Sequence, residues 1–355
     1  MTTIQAIDLF CGAGGLTCGL RRAGVQVRAG IDLDPACKFA YEDNNDAEFL
    51  LKSVEELTGK GLAKHFENPE RTLLAGCAPC QPFSLYRQGK CDETDGRWHL
   101  LKSFQRLALE MMPDFITMEN VPRLAEQRVF EEFKAALERV GYQVWAEVVD
   151  ISEYGVPQER ERLVLLASLL GPITLLEAKR RYPRTVKQAI GKLPRLRAGQ
   201  MDKRDPIHQA AGLSPLNLTR IRASKPGGTW RDWPENLVAA CHRKKSGKTY
   251  PSVYGRMVWD SPSPTITTQF YGFGNGRFGH PEQNRGLSLR EGALLQSFPR
   301  TYRFVEPGKP IEFTKVGRLI GNAVPVKLAE AIGRSFLEHA EQHAGSSTKR
   351  AKKPR

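Results

Sequence analysis

The stretch from Ile4 to Asp32, IQAIDLFCGAGGLTCGLRRAGVQVRAGID, leaves few folds open to this chain. IQAIDLF is a short apolar run with β-branched members, and CGAGG follows it at once. LTCGLRRAG has its apolar residues at helical spacing, and VQVRAGID reads as a second strand. Strand, glycine loop, helix and strand in that order open a doubly wound α/β sheet. Gly12, Gly14 and Gly15 let the backbone pass close to a ligand and turn into a helix whose N-terminus points at it. An acid about 20 residues further on, at the tip of the second strand, would bind ribose hydroxyls. Asp32 stands there, and Asp34 follows two residues later. The spacing departs from GxGxxG, which leaves room for an adenosyl cofactor other than a dinucleotide; a purely structural glycine turn is the other reading.

Further strands are expected at TLLAGCA, DFITMENV, QVWAEVVD and RLVLLASL. Between them LLKSFQRLALEMM and AEQRVFEEFKAALERVG read as helices, the second ending at Gly141. The pattern breaks near Gly171. Residues 183–283 are rich in proline, glycine and basic side chains with no long amphipathic period, and read as a smaller, irregular, mostly β domain. Regular structure returns with LSLREGALLQSF, and Pro325 opens a long helix, VKLAEAIGRSFLEHA. The expected division is 1–170, 171–283, 284–345 packing back on the first domain, and a disordered basic tail at 346–355.

Charge follows that division. Residues 1–170 carry 19 basic and 26 acidic side chains, residues 171–283 carry 20 and 7, and residues 284–355 carry 14 and 6. An acidic front half joined to a basic rear half predicts a polyanion docked on the rear half, nucleic acid first, with a solubilising basic surface as the alternative. The opening MTTIQAIDLF has neither a basic nor an apolar leader region, and no stretch of the sequence approaches 18 unbroken apolar residues. A protein neither secreted nor membrane-spanning is expected, in the cytoplasm, and its seven cysteines read as reduced thiols.

In LLAGCAPCQPFS, Cys77 and Cys80 are spaced as half a zinc site, a redox pair, or a chance neighbour of one reactive thiol. A structural zinc needs four ligands, and no second Cys-x-x-Cys exists, so no metal is expected. Pro79 before Cys80 and Gln-Pro after it describe a stiff loop at the carboxyl end of a strand, where open α/β sheets place ligands. Nucleophile, redox pair and structural thiol all stay open at this point. Glu119 in MENVP would lie at the same sheet edge, able to exchange a proton or bond a substrate; a merely solvated acid is the plain alternative. In YGVPQERERLVLL, Arg160 and Arg162 alternate to one side of a strand with Gln158 in step.

Together these stretches closely resemble the cytosine-5 DNA methyltransferase family of the bacterial restriction–modification type. The resemblance lies in an ordered series: DLFCGAGG, the acid of IDLDP, LLAGCAPCQPFS, FITMENV, QERER, RGLSLREGALLQSFP and RLIGNAVPVKLAEAI. It runs from Asp8 to about Phe336, interrupted where that family carries its variable target-recognition domain. It implies a Rossmann-like S-adenosylmethionine-dependent methyltransferase sheet. It also implies methyl transfer to C5 of a cytosine flipped out of a specific short double-stranded DNA sequence, protecting that DNA from restriction. Thiolate attack at C6 makes C5 nucleophilic enough to take the methyl group, which is covalent catalysis in two easier steps.

By the same resemblance Cys80 is the nucleophile and Glu119 contacts N3 and the amino group. Arg162 holds the O2 side and orients Glu119, with Arg160 and Gln158 alongside. Phe10, Gly12, Gly14 and Gly15 would contact the methionine and adenosine parts of the cofactor, and Asp32 its ribose. Leu33 takes the adenine-stacking place, and Pro79, Leu100 and Asn322 line the cofactor. The usual Asp-Ile falls at Ser53-Val54, so Val54 remains in that lining while the acid is missing. SLYRQGKCDETDGRW (84–98) would be a mobile lid over the flipped base, with Ser84 and Arg87 at the DNA. Thr265 and Thr267, within SPSPTITTQF, would also lie near it. Implied partners are double-stranded DNA and a cognate restriction endonuclease linked by function rather than contact, for an enzyme that is a monomer on DNA. Three readings compete. A transfer-RNA enzyme of the same family would usually have Thr where Ser84 stands. A non-catalytic DNA binder would not need Cys80, Glu119 and Arg162 together, and a redox enzyme using Cys77 and Cys80 leaves the adenosyl site unexplained.

Overall fold

The computed structural model describes residues 2–79, 98–178 and 183–344. Two compact units emerge. The first comprises 1–154, 161–179 and 324–355, and the second 155–160 and 180–323.

In the first unit, the opening run forms β1 (Ile4–Leu9), α1 (Gly15–Ala23) and β2 (Gln26–Asp32) as its pattern predicts. Next come α2 (Cys37–Asn45), β3 (Glu48–Leu51), α3 (Gly59–Ala63), β4 (Arg71–Gly76), α4 (His99–Met111) and β5 (Phe115–Asn120). α5 (Arg128–Arg139), β6 (Gln143–Asp150) and β7 (Glu161–Ser168) follow. The strands form one seven-stranded sheet in the order β3-β2-β1-β4-β5-β7-β6. β1 pairs in parallel with both β2 and β4, and β4 in parallel with β5, while β7 runs antiparallel between β5 and β6. The chain winds outward from β1 to β3 and then crosses to β4 on the other side of β1. That reversal puts a crevice at the carboxyl ends of β1 and β4.

Strand alternation assigns the two faces of this sheet. Ile116 and Met118 join Leu74, Leu163 and Leu165 beneath Phe104 and Leu107 of α4 and Phe130, Phe133 and Leu137 of α5. One residue out of step, Phe115 packs against Phe336 on the opposite face, the two tilted rings 5.1 Å apart. Three short elements, α2, β3 and α3, were not legible in the sequence. β3 is a four-residue edge strand with only Phe49 buried, so it carries no alternation long enough to read.

The second unit contains α6 (Val186–Ile190), β8 (Met201–Asp202), β9 (Asp205–Gln209), α7 (Pro215–Ala223), α8 (Ala240–Arg243), α9 (Leu289–Leu295) and α10 (Phe313–Asn322). The expectation of a mostly β domain is corrected here. Among the described residues the only extended pairing longer than a single bridge is the β8–β9 ribbon, and the rest is short helices and loops. The local reason is capping: Thr185 and Ser214 each accept a hydrogen bond from a first-turn amide and start a helix where a mostly β segment was expected. With few ladders, buried side chains satisfy the backbone instead. Arg256, 4% exposed, donates to the carbonyls of Ile221, His280 and Gln283 and to Asn284 Oδ1.

The segment expected to return to the first domain in one piece divides at Ala323: α9 and α10 belong to the second unit, and α11 (Val326–Gln342) to the first. Gly19 lets α1 meet α11 closely, since a Cβ there would lie 2.3 Å from the Ala329 Cβ. Pro325 stands at the N-cap of α11, as the sequence predicts. Among the described residues no helix is long and apolar enough to cross a membrane.

Candidate active site

The glycine loop is built from left-handed steps. Phe10 (φ 58°), Gly12 (φ 53°) and Gly14 (φ 86°) turn the chain from the end of β1 into α1, with Gly14 as the N-cap. A Cβ added at Gly12 would meet no atom within 4 Å, so the loop borders open space. At the tip of β2, Asp32 Oδ2 accepts from the Gly12 amide and Oδ1 from the Asp34 amide, both at 2.9 Å. Asp32 is therefore fixed by its own loops and keeps lone pairs for a further donor. Leu33 beside it is 64% exposed, an uncovered apolar face next to a carboxylate.

Beneath the loop lies Asp8, which no sequence signal assigned a role. It is fully buried and accepts from the Thr17 hydroxyl at 2.7 Å, which in turn lies 3.0 Å from the Tyr41 hydroxyl. Its Oδ1 has no hydrogen-bond partner. Burial pushes its carboxyl up to about 7, the Thr17 bond working against that and the nearby Asp32 charge adding to it.

The second cluster gathers at the neighbouring strand ends. β4 closes on β1 at Gly76, where a Cβ would come within 2.9 Å of the Leu9 carbonyl. The next three residues leave the sheet as a short described segment. The Cys77 amide donates to the Leu9 carbonyl at 3.3 Å, and Asn120 Nδ2 donates to the Ala78 carbonyl at 3.1 Å. Pro79 is exposed. Glu119, one residue before the end of β5, is 3% exposed. Arg162 near the start of β7 brings its Nε within 2.7 Å of Glu119 Oε1, and the Cys77 thiol donates to Oε2 at 3.0 Å. Burial raises the Glu119 carboxyl above its ordinary value, with the Arg162 charge and the Cys77 hydrogen bond working against that. Such a carboxyl keeps its proton to higher pH than an exposed one.

Other expected site residues take different places. Val54 is buried in the core under α4, with its carbonyl accepting from Arg106, and Leu100 is half-buried against the same core. Ser53, where the adenine-reading acid is missing, accepts from the Glu55 amide. In the second unit, Gln158 is fully buried. It donates to Gln296 Oε1 at 3.0 Å and accepts from the Ile266 amide at 2.8 Å. The Gln296 amide donates to the Ile320 and Ala323 carbonyls at the end of α10. Gln158 thus places backbone. Arg160 Nη1 lies 3.4 Å from both Gln158 Oε1 and the Ile266 carbonyl. The Thr265 hydroxyl is exposed and donates to the Glu159 carbonyl, and Thr267 is half-buried. Gly321 admits the Thr267–Thr268 backbone, which a Cβ would meet at 2.5 Å, so α10 and its exposed last residue Asn322 are tied to that segment. Cys80, Ser84, Arg87 and all of the expected lid except Trp98 lie outside the described residues. Among the described residues no group of three or more His, Cys, Asp or Glu side chains could hold a metal ion.

Asn120 and Gln296 were visible in the sequence, within MENVP and LLQSFP, but their partners were not. Each bonds a backbone carbonyl far along the chain, which no local pattern encodes.

The comparisons with known proteins agree in kind. A family model described as C-5 cytosine-specific DNA methylase matches residues 4–338. The chain is 50% identical over 341 residues to the type II methylase M.HgiDII of Herpetosiphon aurantiacus, covering 94% of this chain and 95% of that one. It is 35% identical over 342 residues to the type II methyltransferase M1.HphI of Haemophilus parahaemolyticus, covering 95% and 87%. Among solved structures, an E. coli prophage-encoded protein described as a DNA modification methyltransferase superposes with a TM-score of 0.72 at 22% identity, covering 95% of this chain and 99% of that one. The S. pombe Dnmt2 methyltransferase superposes with a TM-score of 0.61 at 18% identity, covering 95% and 99%. At these identities the two structures carry the fold alone.

Proposed function

The chain belongs to the C-5 cytosine-specific DNA methylase family and is a DNA cytosine-5 methyltransferase, and from that premise we propose how its residues divide the work. Cys80 is the nucleophile. In the sequence it follows Pro79 directly, four residues after β4 ends at Gly76. The observation that carries this reading is Glu119: a buried carboxyl held from two sides by Arg162 and Cys77, on the strand next to the one that leads to Cys80.

Attack of the Cys80 thiolate on C6 of cytosine pushes electron density toward N3 and O2. N3 can only accept a hydrogen bond, so Glu119 answers it best with its proton on, which burial favours. Arg162 keeps the Glu119 carboxyl in one orientation and offers its remaining guanidinium donors to the O2 side. Methylation at C5, loss of the C5 proton and expulsion of the thiolate restore the aromatic ring and the free enzyme. The base must leave the duplex to reach such a site.

Members of this family use S-adenosylmethionine, and the first unit has a place that suits it. The Gly12–Gly15 loop borders open space, the fixed Asp32 carboxylate offers lone pairs to a ribose diol, and exposed Leu33 offers an apolar face to an adenine. Phe10, Val54, Pro79, Leu100 and Asn322 complete the proposed contacts. When bound, this cofactor supplies an electrophilic methyl group on a sulfonium. The basic segment 171–283 is the proposed target-recognition region, with Thr265 and Thr267 near DNA, and Ser84 and Arg87 are assigned to the DNA as well. We place the enzyme in a bacterial cytosol, as a monomer on DNA, paired in function with a restriction endonuclease.

The test is base-resolution mapping of 5-methylcytosine in a plasmid from cells expressing the protein, beside a Cys80→Ala version. Methylation confined to one short sequence and absent with the variant is expected. A plasmid methylated equally by Cys80→Ala would remove the assigned nucleophile, and one unmethylated by the unaltered protein would remove DNA as its substrate.

A further inference from the structure

Cys77 holds Glu119 from one side, yet the proposed mechanism gives it no step of its own. We infer that Cys77 is a positioning residue for methyl transfer, its thiol hydrogen bond to Glu119 Oε2 holding that carboxyl in its working orientation and setting its acidity. The inference rests on the reading of Glu119 as the group that meets the cytosine.

The geometry separates Cys77 from a chance neighbour. Its amide is anchored to the Leu9 carbonyl at 3.3 Å, and the carbonyl of the next residue, Ala78, is anchored to Asn120 at 3.1 Å. The short segment is thus pinned to β1 on one side and β5 on the other, and the Cys77 side chain has little freedom beyond its χ1 rotation. Sγ lies 3.0 Å from Glu119 Oε2 while Arg162 lies 2.7 Å from Oε1. The two partners fix both oxygens, which a single ion pair would leave free to swing about Cγ–Cδ.

The two contacts also differ in kind. Arg162 attracts the carboxylate by charge. A thiol is a weak, neutral donor that stabilises the carboxylate modestly and gives way when a better partner arrives. That suits an oxygen which must pass from the resting enzyme to the amino group or N3 of a bound base. An Arg or Lys at this position would hold the carboxylate ionised, and an apolar residue would leave Oε2 buried without a donor.

Because the thiol stabilises the ionised carboxylate, removing it makes Glu119 a weaker acid. Carboxyls ordinarily titrate below thiols, so either a protonated or an ionised requirement for Glu119 corresponds to the lower inflection of the pH profile of kcat/KM. The experiment compares unaltered enzyme, Cys77→Ala and Cys77→Ser in methyl transfer to cognate DNA across pH, with calorimetric binding of S-adenosylmethionine as the check on folding. We expect the lower inflection of Cys77→Ala to move to higher pH, Cys77→Ser to restore it, and cofactor affinity to stay unchanged in both. An unmoved inflection in Cys77→Ala would overturn the inference, as would a shift that serine fails to rescue. Glu119→Gln serves as the separate control. If it keeps full activity, the reading of Glu119 falls; if it is inactive while the Cys77→Ala profile stays unmoved, only the role of Cys77 falls.

Discussion

Arg162 Nε stands 2.7 Å from Glu119 Oε1, and the two side chains keep only 11% and 4% of their surface exposed. Residues 43 positions apart in sequence are brought together because β7 runs antiparallel beside β5, with Leu163 registered against Asn120 and Val164 against Glu119. A nearly buried pair of this kind contributes little net stability when intact, but losing one partner strands the other charge.

Replacing Arg162 by Leu should therefore destabilise the first unit by about 3 kcal/mol, the usual cost of uncovering a buried charge, and abolish methyl transfer. Adding Glu119→Gln to that variant should recover most of the stability and none of the activity. Urea unfolding and methyl-transfer assays of the two single variants and the double variant measure this. A double variant no more stable than Arg162→Leu alone would mean that the ion pair is not what holds the strand ends.

Gln158 should act through the backbone it places. Gln158→Leu removes the bond from the Ile266 amide and the donor to Gln296, both buried, and so loosens residues 263–268 and the end of α10. Affinity for cognate DNA is expected to fall about ten-fold, in the range that one misplaced base contact costs. The dependence of affinity on salt should keep its slope, because phosphate contacts are untouched. Filter-binding or fluorescence titrations over a salt series check both, and a changed slope would assign Gln158 a different role.

Two buried histidines should make the fold sensitive to acid. His280 in the second unit accepts the Glu282 and Gln283 amides at Nδ1, and His339 on α11 lies 2.8 Å from the Ser168 hydroxyl. Burial, joined at His339 by the adjacent His343, holds each down to about 4. Their folded values lie below the unfolded value of about 6.5, so the unfolded chain binds more protons between the two. The stability they contribute is whole above that upper value and is lost as the pH falls toward 4. Asp8 works in the opposite sense: its folded value of about 7 exceeds the unfolded one, so its contribution is lost as the pH rises through 7. Between about pH 7 and pH 5, the thermal midpoint of His339→Gln should gain on that of the unaltered protein, by what protonating His339 costs the unaltered fold. An unchanged pH dependence in the variant would show that His339 is not the titrating group.

What was legible in the sequence is what short-range physics encodes. The glycine loop before α1, the Pro325 start of α11 and the strands β1, β2, β4, β5, β6 and β7 follow from periodicity, capping and backbone freedom within a dozen residues of each other. The order of motifs pointed to the family, because seven chemical signatures in one order seldom arise by chance. Tertiary structure decided the rest. The sequence placed Cys77 beside Cys80, where it suggested a thiol pair; the fold brings its thiol onto Glu119, 42 residues away. It buried Gln158 as a backbone clamp although its alternation with Arg160 and Arg162 suggested a shared face. It also made the basic segment helical and irregular, since buried guanidinium and amide groups there satisfy the carbonyls that a sheet would otherwise pair. Those partners are chosen by where distant segments come to lie in space, and a local pattern holds no record of that.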